Sequence, residues 1–200
     1  LCLDPRSEKV QLYLMFRYQI LIEYVGTNFR GWQIQTKGKT IQGLVQNEIS
    51  KLLKEKIILN GSGRTDTGVH ATGQSAHFDC ASKIIDLNKF LKSLNYFLNA
   101  KGIAIIKIKK KNNRFHSRFS AKERIYKYVI FNRISAPVIE KKRCWHVIKY
   151  LDVDLIKKGA KMLVGTNDYS TFRSSKCHAK SPIRTIKSIR IRSFKNKIEF

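Results

Sequence analysis

Acidic side chains are scarce in this sequence: 14 Asp and Glu stand against 40 Lys and Arg in 200 residues, a formal net charge of +26. A bias toward lysine accounts for the cations but not for the missing acids, so the imbalance points to a polyanion, either nucleic acid or an anionic membrane. With no amphipathic basic helix and no lipidation motif, nucleic acid is the partner expected. Long apolar runs are missing too, since no stretch approaches the roughly 20 residues of a membrane helix. Leu12 to Phe16 is too short for a signal-peptide core, and Asp4 and Glu8 argue against a transit peptide, so a cytoplasmic protein is expected. Cys2, Cys80, Cys144 and Cys177 form no C-x-x-C pair, and His70, His77, His116, His146 and His178 show no H-E-x-x-H spacing. Free thiols and no metal are the expectation. Cys177 and His178 adjoin, but neighbours on an extended chain point to opposite faces, which argues against a dyad. A P-loop and a dinucleotide fingerprint are likewise absent.

What is present reads as alternating strands and helices. Arg17 to Tyr24 places Tyr18, Ile20, Ile22 and Tyr24 on one face, the pattern of a half-buried strand. Gly26 to Gln35 is a loop whose Phe29 and Trp32, beside Arg30, suit packing under a turn and contact with unstacked bases equally. Thr40 caps a predicted helix with Ile41, Leu44, Val45, Ile49, Leu52 and Leu53 on one stripe. A strand over Ile57 to Leu59 follows, then a glycine-bearing loop, a strand over Gly73 to Asp79, a helix capped by Asp86 and stopped by Gly102, and a strand over Ile103 to Ile108. The order βαββαβ is the ferredoxin-like pattern, an antiparallel sheet with both helices on one face. That unit is expected over residues 15–112, with 1–14 an extension outside it. Residues 113–200 read as the start of a second α+β unit: a strand over Arg124 to Asn132, another near Cys144 to Ile148, a helix from Asp152 to about Val164, a loop over Thr166 to Pro182, and strands over Thr185 to Ile191 and Lys197 to Phe200. A chain that stops within an apparent strand implies that this second half is incomplete.

The loop Gly61-Ser62-Gly63-Arg64-Thr65-Asp66-Thr67-Gly68-Val69-His70 is the candidate site. Its glycines are expected to allow positive φ and close backbone approach to a ligand, and the apolar runs on either side would hold it rigidly. Asp66 and Arg64 are then the chemical groups available. An ionised Asp66 serves as a nucleophile or electrostatic stabiliser, suited to an anomeric carbon where positive charge develops as a glycosidic bond breaks. With the charge of the chain, the target becomes a nucleoside within a nucleic acid. An Asx-turn aspartate in an ordinary hairpin fits the spacing as well.

Gly63-Arg64-Thr65-Asp66-Thr67-Gly68-Val69-His70-Ala71, followed by Gly73-Gln74 and Ala76-His77-Phe78-Asp79, closely resembles the signature of the tRNA pseudouridine synthase A (TruA) family. Tyr24-Val25-Gly26-Thr27 with Phe29, Gly31-Trp32-Gln33 and Gln35 is similar to that family's first-strand motif. Phe115-His116-Ser117-Arg118-Phe119-Ser120-Ala121 with Arg124, Tyr126 and Tyr128 resembles its central motif, and Asp168-Tyr169-Ser170-Thr171-Phe172-Arg173 a later one. The resemblance implies two ferredoxin-like halves sharing a mostly antiparallel sheet with helices on one face, the second half incomplete. It implies isomerisation of uridine to pseudouridine in the anticodon stem-loop of tRNA, without cofactor or metal, by an enzyme that is a homodimer when full length. Asp66 matches the catalytic aspartate and Tyr126 the tyrosine that packs on the target uracil, while Arg64 would hold the flipped nucleotide out of the stack. Arg30, Lys109, Lys110, Lys111, Arg118 and Arg124 would meet the RNA backbone, and the clusters Lys107 to Lys111 and Lys141 to Arg143 suit a phosphate track and a solvated face equally. Thr67 stands where the family usually has Ala, and the family's C-terminal segment, with an Arg close to the catalytic Asp, lies beyond Phe200. The rival reading is a catalytically silent RNA-binding module, since ferredoxin-like sheets with exposed aromatics bind RNA as RRMs do. RNP1 spacing is absent, and a pure binder has no use for a glycine-flanked aspartate. A glycosidase-like hydrolase would want a second acid.

Overall fold

The computed structural model describes residues 15–174 and 181–200. The extension over residues 1–14, Cys2 and the Cys177–His178 neighbours lie outside the described residues. The chain divides into two compact units, with the boundary between Glu123 and Arg124.

In the first unit, β1 (Phe16–Tyr24) is followed by α1 (Ile41–Leu53), β2 (Asn60–Gly61), β3 (Ala71–Cys80), α2 (Leu87–Leu98) and β4 (Ile103–Lys111). The sheet order is β2-β3-β1-β4, antiparallel throughout, which is the ferredoxin-like arrangement expected from the element order. Both helix starts are capped as predicted: Thr40 Oγ1 accepts from Gly43 N–H at 3.3 Å and Asp86 Oδ1 from Lys89 N–H at 2.9 Å. Gly102, at φ +75°, ends the turn after α2. The alternating side chains Tyr18, Ile20, Ile22 and Tyr24 pack in one core with Ile41, Val45 and Ile49 of α1 and Leu94 and Leu98 of α2. Phe29 and Trp32 are buried in that same core, so the loop aromatics serve packing rather than base contact.

The strand predicted over Ile57 to Leu59 is extended but unpaired. Ile57 and Leu59 are buried and Ile58 is exposed, the alternation of a strand. Their backbone groups bond to α1 instead: Ile57 N–H donates to Ser50 Oγ at 3.1 Å, Leu59 N–H to Gln46 Oε1 at 3.0 Å, and Gln42 Nε2 donates to the Leu59 carbonyl at 2.7 Å. Ladder pairing begins only at Asn60. At the other edge β4 runs three residues further than predicted, through the lysines, after a bulge at Ile106. A lysine-lined edge strand blocks further strand addition.

The first unit runs to Glu123, past the boundary read at residue 112, because residues 113–117 dock on the open face of its sheet. Arg17 joins Asp79 through two bonds of 2.7 Å and donates from Nη1 to the Asn113 carbonyl at 2.7 Å and the Phe115 carbonyl at 2.6 Å. Ser117 is buried, with Oγ 2.7 Å from the Asn60 carbonyl and 2.8 Å from His77 Nδ1, and its N–H donates to the same nitrogen at 3.2 Å. His77 is 2% exposed. Burial, then the positive charge of Arg17 and the neighbouring His116, hold its pKa down to about 4 from an ordinary 6.5, against the opposing pull of Asp79. An unfolded chain therefore takes up this proton near pH 6.5 and the folded chain only near 4, so stability present above 6.5 is lost as pH falls toward 4. Asp79, held below the usual carboxylate range by the Arg17 guanidinium, adds a loss of the same sign. The His77 contribution is of order 3 kcal/mol. Urea unfolding followed across this range should show it, and His77→Asn, whose Oδ1 can accept as Nδ1 does, should flatten the profile.

In the second unit β5 (Val129–Asn132) and β6 (Trp145–Val147) precede α3 (Val153–Met162), followed by β7 (Gly165–Asp168), β8 (Ile183–Ile186), β9 (Arg192–Phe194) and β10 (Lys197–Glu199). One sheet has the order β6-β5-β10-β9, antiparallel apart from the parallel β5–β6 pair, and β7 pairs antiparallel with β8. Asp152 caps α3 with Oδ1 bonds to Asp154 and Leu155 N–H at 2.9 and 3.0 Å. Three predictions shift. The strand read over Arg124 to Asn132 is paired only from Tyr128, which exchanges bonds of 3.1 and 2.9 Å with Phe200, so Arg124 and Tyr126 lie ahead of the ladder. The predicted loop after α3 contains β7, and the strand read over Thr185 to Ile191 is displaced to β8. Thr166 and Thr185 stand opposite each other, hydroxyls 2.7 Å apart, a cross-strand pair that polar composition conceals.

Candidate active site

Asp66 opens a four-residue turn: its carbonyl accepts from Val69 N–H at 3.2 Å, and Gly68 at the third position has φ +82°, the left-handed value a type II turn requires. Gly61 and Gly63 do not share that conformation. Gly61 serves a neighbour rather than a ligand, since an added Cβ would meet the Trp32 indole at 2.6 Å.

The backbone around the turn is pinned from the opposite loop and from β1. Trp32 N–H donates to the Thr65 carbonyl at 3.0 Å, and Gly68 N–H reaches the Phe29 carbonyl at 3.4 Å. The buried Tyr24 hydroxyl lies 2.8 Å from Thr65 Oγ1, and Gly26 N–H donates to His70 Nδ1 at 3.2 Å. Gly31, at φ +78°, lets the two loops touch; a Cβ there would press on the Thr65 carbonyl at 2.5 Å. Burial raises the Tyr24 phenol pKa, partly offset by the Thr65 bond, so the hydroxyl stays protonated. Tyr24→Phe should cost about 1 kcal/mol of stability and lower turnover several-fold, read by thermal melts and initial rates.

On this fixed backbone the Asp66 side chain is exposed, and among the described residues no hydrogen bond or ion pair occupies its carboxylate. Arg64 is exposed in the same loop without bridging to Asp66, so both side chains are directed at something other than each other. Arg30 is exposed in the facing loop, its N–H bound to the Lys39 carbonyl at 2.9 Å. The structure therefore brings Arg30, Arg64 and Asp66 into two joined loops at the Tyr24 end of β1.

Lys109, Lys110 and Lys111 lie toward the other end of that strand, opposite Gln19, Tyr18 and Arg17. The six residue steps from Tyr18 to Tyr24 separate the two groups by about 20 Å of strand. Lys110 Nζ stands 5.2 Å from the Phe16 ring centroid and Lys111 Nζ 5.1 Å from that of Phe115, so two of the three ammonium groups also cover aromatic faces. Arg118 lies on the docked segment, exposed, 5.8 Å from the Phe119 ring centroid. Tyr126, 68% exposed, and Arg124 belong to the second unit. Among the described residues no three His, Cys, Asp or Glu side chains come together to hold a metal, and no helix is long and apolar enough to cross a membrane.

Sequence reasoning assigned no role to Tyr24, Gly26, Gly31 or His70, which position Asp66 without being reactive themselves. Their only signal was membership of the quoted motifs, because each acts on a partner dozens of positions away.

A family model described as tRNA pseudouridine synthase matches residues 20–120 and 160–200. The chain is 63% identical over 185 residues to tRNA pseudouridine synthase A of Pelagibacter ubique (strain HTCC1062), covering 92% of this chain and 75% of that protein. It is 43% identical over 175 residues to the protein of the same name from Neorickettsia sennetsu (strain ATCC VR-367 / Miyayama), covering 88% and 72%. Against that of Paramagnetospirillum magneticum (strain ATCC 700264 / AMB-1) the identity is 42% over 172 residues, covering 86% and 67%. The Asp66 turn and the loop that pins it both fall within the matched residues, and on this extent of similarity the chain belongs to the tRNA pseudouridine synthase family.

Proposed function

We propose that the chain isomerises uridine to pseudouridine in the anticodon stem-loop of tRNA, with Asp66 as the catalytic carboxylate and no cofactor. The observation that carries the reading is the exposed carboxylate of Asp66, unpartnered among the described residues, on a turn whose backbone is fixed by its neighbours. The reaction breaks the C1′–N1 bond of uridine, joins C1′ to C5 of the same base, releases the C5 proton and leaves N1 protonated. Three routes are open to one carboxylate: attack at the sugar, attack at the base, or passage through a glycal. In the first the carboxylate meets positive charge developing at the anomeric carbon, in the second it adds to the pyrimidine ring, and in the third it takes the C2′ proton as the glycosidic bond breaks. The base must leave the stack first. In this reading Arg64 holds the flipped nucleotide, Tyr126 packs on the uracil, and Arg30, Lys109, Lys110, Lys111, Arg118 and Arg124 follow phosphates. A homodimer, when the protein is full length, working in the cytoplasm completes it. The test is to map pseudouridine in an unmodified tRNA transcript after incubation with the chain. New pseudouridine within the anticodon stem-loop is expected; a transcript that is bound yet unchanged there would refute the assignment.

A further inference from the structure

The docked segment ends in an aromatic stack that the fold does not use. His77, buried under the sheet's open face, contacts His116 with ring centroids 4.6 Å apart, and His116 in turn stacks on Phe119 at 4.5 Å with a tilt of 37°. Phe119 is 78% exposed. Its exposure is not looseness, because the turn that carries it is tied three times: His116 N–H donates to Ser120 Oγ at 3.0 Å, Ser120 N–H to the His116 carbonyl at 2.7 Å, and Arg118 N–H to His116 Nδ1 at 3.2 Å. An aromatic ring held rigidly in water contributes little to stability. It offers a flat apolar face, and the Arg118 guanidinium beside it offers a phosphate partner.

We infer that Phe119, backed by His116 and flanked by Arg118, is a stacking platform for an unpaired base of the RNA substrate, outside the Asp66 site. The inference rests on the RNA reading above. A chain of net charge +26 attracts a polyanion to every face, so an exposed aromatic beside a guanidinium fits a nucleotide better than an apolar protein surface. The segment is anchored through Ser117 on His77, and His77 lies opposite Gln19 of β1, five residues from Tyr24. Along the strand that is about 17 Å, the length of roughly five stacked nucleotides. The two anchoring positions on β1 thus lie within the span of one RNA strand, as a single RNA engaging both Asp66 and Phe119 requires.

The probes are an unmodified tRNA transcript and a short single-stranded oligoribonucleotide, with a duplex of the same sequence as control. Phe119→Ala should weaken binding of the tRNA and of the single strand by roughly 5- to 100-fold and leave the duplex unaffected. It should raise KM for the tRNA more than it lowers kcat, with an unchanged melting temperature. Phe119→Trp should restore affinity, and its indole fluorescence should be quenched by the single strand. Single-strand affinity within two-fold of the unsubstituted chain in the alanine variant overturns the platform, as does an alanine variant whose only change is in oligomeric state. If the unsubstituted chain modifies no uridine but its RNA binding still depends on Phe119, the platform stands and the catalytic reading fails.

Discussion

Asp66→Ala should abolish pseudouridine formation while leaving the folded chain and its tRNA affinity in place. The carboxylate is exposed and bonded to nothing among the described residues, so its removal costs no packing and no internal partner. Surface changes of that kind shift stability by no more than about 0.5 kcal/mol. The rate should behave otherwise. The loop holds no second acid to take over the role, and loss of a nucleophile typically lowers turnover by about four to six orders of magnitude. Asp66→Asn should fall as far, because it keeps the shape and removes the charge. Binding should tighten slightly in both variants, since a negative charge is removed from a surface that approaches phosphate. Initial rates of conversion and filter binding with the same transcript separate the two effects. Turnover within ten-fold of the parent chain in either variant would remove Asp66 from the chemistry.

Gly26→Ala is expected to have the next largest effect, from a residue that cannot touch substrate chemistry. A Cβ at Gly26 would overlap the Val69 carbonyl, a rigid backbone group, and no rotamer change can relieve it. Val69 closes the turn that starts at Asp66, and His70 beside it accepts from Gly26 N–H, so the turn itself must move. Overpacking of this kind costs about 1–3 kcal/mol. A shift of about 1 Å in a reacting group costs about 100-fold in rate. The expected result is a chain that melts several degrees lower and turns over about two orders of magnitude more slowly, with tRNA affinity nearly unchanged. Gly73→Ala is the control: a Cβ there meets nothing within 4 Å, and both properties should hold. Equal behaviour of the two variants would mean that the contact between Gly26 and Val69 does not set the position of Asp66.

Much of the first unit was legible in the sequence because its signals are local. The alternation through Tyr18, Ile20, Ile22 and Tyr24, the caps at Thr40 and Asp86, and the stop at Gly102 each depend on residues within a turn of one another. The second unit was read less well. Its strands are three or four residues long, and the polar β7 has no alternation to reveal it. Phe29 and Trp32 could not be assigned between packing and base contact from residue type. Burial decides for the core.

The sequence by itself pointed to a polyanionic partner, through a charge imbalance that no folding alters, and it singled out Asp66 through the resemblance of its glycine-flanked motif to a family signature. Tertiary structure alone decided how that carboxylate is presented. The Tyr24–Thr65 and Gly26–His70 bonds join residues 41 and 44 positions apart, and the His77–Ser117 bond spans 40. Such contacts depend on which loops a sheet brings side by side. Hydrophobic period and capping residues carry only short-range information, so these contacts leave no pattern in them. The outcome is an exposed carboxylate with no partner among the described residues, on a turn bonded to both β1 and the facing loop.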